Sequence, residues 1–214
     1  NPWGQPPSTP SLWARDLAIP IFDAGQHEIL LYFGCTAAYD RRVQDVARSL
    51  VKVLRAAGVA FGYLADEEPC CGESALSLGH EPLFSELMSA AAERFRSHAV
   101  KRLVTLSPHC FDAFKNHLAA ELEEIEVLFY VQYLAALAGA GRITFSDRQL
   151  GRITFHDPCY LARHHDDTSS ARTVLGAIPG ITLVEMAHHG QNTLCCGGGG
   201  GRMWLETAPD ERFA

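Results

Sequence analysis

Glu28-Ile29-Leu30-Leu31-Tyr32-Phe33-Gly34-Cys35 decides how the chain is read. Five apolar residues follow one another without alternation and stop at a glycine. A strand with one wet face would alternate, so this run predicts a strand buried on both faces, as in a parallel sheet. Val43, Ala47, Leu50, Val51 and Leu54 come next at helical spacing, ending at Gly58, and predict an amphipathic helix. Val59 to Leu64 form a second candidate strand. Leu83, Phe84, Leu87, Met88, Ala91 and Phe95 mark a second helix. Arg102 to Leu106 form a third strand, which leads through Ser107-Pro108-His109-Cys110 into a helix from about Phe111. Strand and helix in alternation, with crossovers of this length, predict an α/β fold with a parallel sheet.

The order then begins again. Arg152 to His156 read as a strand ending in Asp157-Pro158-Cys159, Ala171 to Ile178 as a helix stopped by Pro179-Gly180, and Ile181 to Met186 as a strand. Each half puts a cysteine after its first strand and Cys-Cys-Gly after its second. Cys35 to Cys70 is 35 positions and Cys159 to Cys195 is 36. The two spacings around two Cys-Cys-Gly triplets point to an internal duplication. The expected architecture is two pseudo-repeated parallel-sheet α/β halves with cysteine loops at the carboxyl ends of the strands. The expected division is a lead-in over 1–26, a first repeat over 27–120, a connecting helix and linker over 121–150, and a second repeat over 151–214. The acidic stretch Glu121 to Glu126 reads as one exposed helix face.

Composition narrows the chemistry. The 214 residues carry 18 Lys+Arg against 25 Asp+Glu, a formal net charge of −7, which argues against a non-specific nucleic-acid binder. No apolar run approaches the ~20 residues that cross a bilayer. The start at Asn1, without Met or a signal-peptide pattern, suggests a piece of a longer chain. No Ser-His-Asp order, paired-carboxylate motif or Walker loop supports a hydrolase or a nucleotide site.

Seven cysteines are an odd number, so a closed disulfide framework cannot use them all, and their density is far below that of a small secreted scaffold. Cys35, Cys70, Cys71 and Cys110 belong to the first half; Cys159, Cys195 and Cys196 belong to the second. All follow predicted strand ends, where an open parallel sheet forms its ligand crevice. Thiolates in one crevice suit iron–sulfur clusters or zinc. Adjacent cysteines fit poorly in a zinc knuckle, whose ligands sit two to four residues apart, and favour the cluster. Buried apolar cysteines and a metal-free pair for thiol–disulfide exchange are the competing readings.

The glycines support a site. Gly72 follows the first pair, and Gly197 and Gly198 open a run of five after the second. Without a Cβ, such residues let backbone N–H groups approach an anionic group. Arg202-Met203-Trp204-Leu205 reads as the start of a helix that orders this run. His109, His156, His164, His165, His188 and His189 lie near the sites, with His109 and His156 closest to proposed ligands. Arg163 and Arg202 are candidates to offset thiolate charge.

The pattern Cys35…Cys70-Cys71-Gly72…Ser107-Pro108-His109-Cys110, with His156-Asp157-Pro158-Cys159-Tyr160-Leu161 and Cys195-Cys196-Gly197, resembles the cysteine-rich "CCG" domain family. That family includes the catalytic subunit of heterodisulfide reductase, the iron–sulfur subunits of glycolate and lactate oxidation systems, and related membrane-linked oxidoreductases. The resemblance implies a [4Fe–4S] cluster in each full repeat, non-cubane in heterodisulfide reductase. It implies Cys35, Cys70, Cys71 and Cys110 as ligands of one centre and Cys159, Cys195 and Cys196 as ligands of a second. Ser107 stands where the five-cysteine form has the first Cys of Cys-x-x-Cys. The last Cys of the second repeat is expected near position 235, past Ala214. The lead-in Asn1-Pro2-Trp3-Gly4-Gln5-Pro6-Pro7 is similar to segments that join this module to an upstream ferredoxin-like domain. The implied function is electron transfer within a larger oxidoreductase, from that ferredoxin-like domain or subunit to a quinone, a flavoprotein or a disulfide. The expected partners are therefore a flavoprotein or a quinone-reducing membrane component, with no nucleic acid. The expected location is the cytoplasm, at the membrane face through other parts of the protein.

Overall fold

Ile29–Tyr32 form strand β1, and all four side chains are buried, as a continuous apolar run requires. The computed structural model describes residues 10–118, 124–146, 150–199, 202 and 208–211. Strand β1 is flanked by β2 (Phe61–Gly62) and β3 (Arg102–Thr105), and β4 (Glu126–Phe129) lies outside β3. All pairings are parallel, with Ile29 opposite Phe61, Leu30 opposite Leu103 and Leu103 opposite Val127. The strand order is therefore β2-β1-β3-β4. The chain moves outward from β1 to β2, then returns past β1 to β3. Such a reversal leaves a crevice outside the carboxyl ends of β1 and β3, where open α/β sheets bind ligands.

Helices close the sheet. Helix α1 (Gly34–Tyr39) follows β1 directly and was not expected from the apolar pattern, being too short to show a period. Helix α2 (Arg41–Ala56) starts where the Asp40 carboxylate accepts the amides of Arg42 and Val43, and buries Ala47, Leu50, Val51 and Leu54. After the short α3 (Glu73–Ser77), α4 (Glu81–Ser97) buries Phe84, Met88, Ala91, Ala92 and Phe95. Helix α5 (Pro108–His117) starts three residues before the expected Phe111, because Ser107 caps it and Pro108 suits a first turn. His109 and Cys110 thus lie in a helix and not on a loop. Tyr32, Phe95 and Phe114 meet edge to face, with ring centroids 5.0 Å apart for Tyr32–Phe114 and 5.4 Å for Phe95–Phe114. Each such ring contributes about 1.5–3 kcal/mol by burial, so this cluster anchors β1 to two helices.

The acidic stretch is a correction. Glu126 opens strand β4 opposite Arg102 and ion-pairs with it across the sheet edge, so it is not on a helix. Residues 121–123 lie outside the described residues. The period-2 signal in a four-residue strand was masked by the carboxylates ahead of it. Residues 10–26 also belong to the packed structure: Ala14, Ile19 and Phe22 are buried, and Ile21 bridges to Tyr63. Ser11 precedes a 3₁₀ turn over Leu12–Leu17, but its side chain makes no capping bond.

The chain divides into two compact units, Asn1–Tyr130 and Val131–Ala214. Helix α6 (Tyr130–Gly139) opens at their boundary. In the second unit β5 (Gly151–Ile153) and β6 (Ile181–Leu183) pair in parallel, with α7 (Ser170–Gly176) between them in sequence. A π-helical turn over Tyr160–His164 follows Cys159. Arg172 grips buried Asp157 with two bonds of 2.7 and 2.9 Å and Glu185 with two more of 2.7 and 2.9 Å. Among the described residues no helix is long and apolar enough to cross a membrane.

Candidate metal centre

Three segments bring four thiols together in the first unit. After β1, Gly34 turns the chain at φ +75°, and Cys35 lies in the first turn of α1. A Cβ on Gly34 would stand 3.2 Å from the Cys110 sulfur, so the glycine lets that sulfur approach the turn. After β2, a 3₁₀ turn over Ala65–Glu67 leads to Glu68, Pro69 and the Cys70-Cys71 pair. After β3, Cys110 occupies the first turn of α5. Cys71 and Cys110, both buried, stand 3.2 Å apart sulfur to sulfur. Cys70 is hydrogen-bonded to Cys71 and lies within electrostatic reach of Cys35. Cys35 and Cys70 are the exposed members. This group sits at the β1/β3 reversal, the position the strand order singles out.

The second unit gathers Cys159, Cys195 and Cys196. The thiol of Cys159 feels the charges of both others. Cys195 and Cys196 are exposed and Cys159 is half-buried, so this trio is wetter than the first four. Among the described residues no three His, Cys, Asp or Glu side chains are grouped as ligands around one metal ion.

Two hydrogen bonds recur at the same places in the two units, and a third pair of positions is bonded in both but differently. The Gly72 amide donates to the Cys70 sulfur at 3.4 Å, and the Gly197 amide donates to the Cys195 sulfur at 3.3 Å. Both glycines adopt positive φ, +72° and +77°, a conformation open to a residue without a Cβ. The Tyr32 hydroxyl donates to the Pro69 carbonyl at 2.8 Å; His156 Nε2 stands 2.9 Å from the Leu194 carbonyl. Tyr32 and His156 each lie three residues before the first Cys, and Pro69 and Leu194 each lie one before the pair. Glu68 accepts the amides of Phe33 and Gly34 at 3.0 and 2.7 Å, and the Thr193 hydroxyl donates to the Asp157 carbonyl at 3.1 Å. Glu68 and Thr193 hold the same place in their repeats.

Electrostatics in the first group oppose ionisation. Its hydrogen bond with Cys71 and burial hold the Cys70 thiol far above its usual range; the bond with Cys110 does the same for Cys71. Burial, then the Cys70 neighbour, raises Cys35. Desolvation pushes Glu68 up to about 7 against the pull of the two amides. A thiol built for exchange needs a lowered value. Clustered thiols that resist ionising on their own instead suit a site where a metal supplies the positive charge that releases their protons.

The surrounding residues are placed as follows. His109 Nδ1 lies 3.2 Å from Glu73 Oε1, and Glu73 also accepts the Ser77 hydroxyl at 2.6 Å. Gly198 leaves space beside the Cys196 sulfur, 3.7 Å from where a Cβ would be. Arg163 is engaged by the carbonyls of Gln191 and Thr193 and so holds the loop ahead of the second pair. Arg202 reaches the Glu211 carbonyl, and Gly200, Gly201 and 203–207 lie outside the described residues. His164 lies against Tyr160, His188 against Asn192, and His189 near Glu185. Glu68, Tyr32 and Thr193 were not found from the sequence. Their only signal was their equal offset from the cysteines in the two repeats.

The donor set fits a soft metal group. It is all sulfur, with peptide N–H groups turned onto Cys70 and Cys195, as anionic thiolates prefer. Comparison with known proteins agrees. The description of the cysteine-rich domain called CCG matches residues 29–115 and 153–213. The EtfAB:quinone oxidoreductase of Syntrophomonas wolfei is 37% identical over 96% of this chain and 30% of its own length. The probable iron–sulfur-binding oxidoreductase FadF of Bacillus subtilis is 36% identical over the whole chain and 31% of its own length. A component of the dihydromethanophenazine:CoB–CoM heterodisulfide reductase of Methanosarcina barkeri is 34% identical over 81% of this chain and 44% of its own length. The chain thus spans about a third to under a half of these relatives. No solved structure matches it.

Proposed function

The chain belongs to the cysteine-rich CCG domain family, and from that premise we propose that it is an iron–sulfur electron-transfer module of a larger oxidoreductase. The observation that carries this reading is the 3.2 Å approach of Cys71 and Cys110 at the β1/β3 reversal, with Cys70 bonded to Cys71 and Cys35 within electrostatic reach of Cys70. These four would hold one cluster, of the [4Fe–4S] type. Cys159, Cys195 and Cys196 would supply three thiolates to a second. When bound, such a cluster accepts and releases single electrons.

The chain's own residues keep the sulfurs close and exclude water from Cys71 and Cys110. The Gly72 and Gly197 amides, with His109 beside Glu73, polarise the surroundings. We place the repeats at 27–120 and 151–214. The donor in this reading is a ferredoxin-like domain or subunit, and the acceptor is a quinone, flavoprotein or disulfide. Relatives named for a quinone and for a heterodisulfide support that range. The module would work in the cytoplasm, at the membrane face through other parts of the protein.

Iron, acid-labile sulfide and zinc assays on the anaerobically purified full-length protein test this, together with its visible spectrum. Iron and sulfide with a broad visible absorption are expected. A colourless protein with stoichiometric zinc and no iron overturns the reading in favour of a structural zinc module. Titratable thiols without any metal would favour thiol exchange.

A further inference from the structure

We propose that Tyr32 and His156 are positioning residues, one per repeat, that set the orientation of the Cys-Cys pair. Each side chain leaves the segment that carries the first Cys and crosses 37 or 38 positions of sequence to one carbonyl. That carbonyl, of Pro69 or Leu194, shares a rigid peptide plane with the amide of Cys70 or Cys195. Holding the carbonyl therefore restrains the plane from which the first cysteine of the pair departs, and with it the range of directions open to its sulfur.

Two features argue against incidental packing. The bond occurs at the same place in both repeats, yet a phenol makes it in one and an imidazole in the other. The two rings share little except a donor at the far end, so the geometry of the bond, and not the side chain, is what recurs. A carbonyl only accepts, so His156 carries its proton on Nε2 in this contact. The neighbouring links, Glu68 to Phe33 and Gly34 and Thr193 to Asp157, also repeat in place. The same two strands of chain are thus laced twice beside each pair. Tyr32 is fully buried and packed on Phe95 and Phe114, while His156 is exposed, so the first lock is rigid and the second is open to solvent.

This proposal rests on the cluster reading, and its test separates the two. Tyr32→Phe removes one hydroxyl and keeps the ring in the core. His156→Phe removes the donor, and His156→Gln puts an amide donor near the position of Nε2. The full-length variants are purified anaerobically and compared by electron paramagnetic resonance, by midpoint potential and by amide exchange at 70–72 and 195–197. Tyr32→Phe is expected to alter the signal and potential of the first centre alone. His156→Phe is expected to alter the second alone, and His156→Gln to restore it. Amide exchange near the affected pair should rise about five- to tenfold, as loss of one hydrogen bond allows.

Unchanged signals and exchange in a wild-type protein that holds iron and sulfide overturn the proposal and leave the cluster reading intact. Equal changes at both centres overturn it too, because they report general loosening. If the wild type holds no iron, the cluster reading fails and exchange at the two pairs decides the proposal alone: a rise confined to the variant's own repeat supports it, and no rise overturns it.

Discussion

Glu68 reaches across 34 positions of chain to accept the amide of Gly34 at 2.7 Å, and its other oxygen accepts the amide of Phe33 at 3.0 Å. One carboxylate thus closes the start of α1 against the segment that carries the Cys-Cys pair. Glu68→Ala leaves two part-buried amides without that acceptor, at about 1–3 kcal/mol. Thermal unfolding should show a melting point several degrees lower. An unchanged melting point would mean that water replaces the carboxylate at no loss.

Gly72 and Gly79 share a positive φ, +72° and +79°, but not their surroundings. A Cβ on Gly72 would meet the Phe84 ring at 2.9 Å, and one on Gly79 meets nothing within 4 Å. Gly79→Ala should therefore cost only the left-handed strain, about 1–2 kcal/mol. Gly72→Ala adds displacement of a buried ring, about 1–3 kcal/mol more. Urea unfolding of the two variants side by side measures the difference. Equal losses would show that Phe84 moves aside freely.

Asp167 ties the start of α7. It accepts the amides of Ser169 and Ser170, the Ser170 hydroxyl at 2.7 Å and the Gln132 amide at 2.9 Å. Burial pushes its carboxyl up, but these bonds outweigh burial and leave it below its usual 3.8. The folded state therefore binds fewer protons than the unfolded state in that window. The stability Asp167 supplies is complete above pH 3.8 and is lost as pH falls through the lower folded value. Asp167→Ala should cost about 1–2 kcal/mol at neutral pH. Melting points measured from pH 6 down to pH 2 should converge for wild type and variant at the acid end. Parallel curves would contradict the assignment.

Cys71→Ser and Cys196→Ser should each remove the iron and sulfide of one centre and leave the other's intact. Cys71 is buried against Cys110, so no neighbouring thiol can swing in to replace it. Iron and sulfide per chain, with the spectrum of what is retained, measure this. Full retention in Cys71→Ser would remove Cys71 from the ligand set.

The sheet and the duplication were legible because they rest on signals that survive in one dimension. The run Ile29 to Phe33 reads as a doubly buried strand because it does not alternate, which the structure bears out over Ile29–Tyr32, and the cysteines kept their spacing. Strand β4 was not legible, since Glu126 continues an acidic stretch and its partner Arg102 lies 24 positions away. Glu68 carries no local signal in the sequence, since the two amides it accepts lie 34 and 35 positions earlier in the chain. Tyr32 read as one more apolar strand residue. Its hydroxyl bond depends on a carbonyl 37 positions on, which no local pattern reports. Ser107 read as a missing cysteine and is the cap of α5.

The amides of Gly72 and Gly197 have a further consequence. A side chain that tunes a sulfur can be lost by a single base change, but a peptide N–H disappears only if proline takes its place. The polarity offered to Cys70 and Cys195 is therefore a property of the path of the chain. It survives any substitution that leaves that path unchanged, whereas a side-chain donor is lost with its own residue.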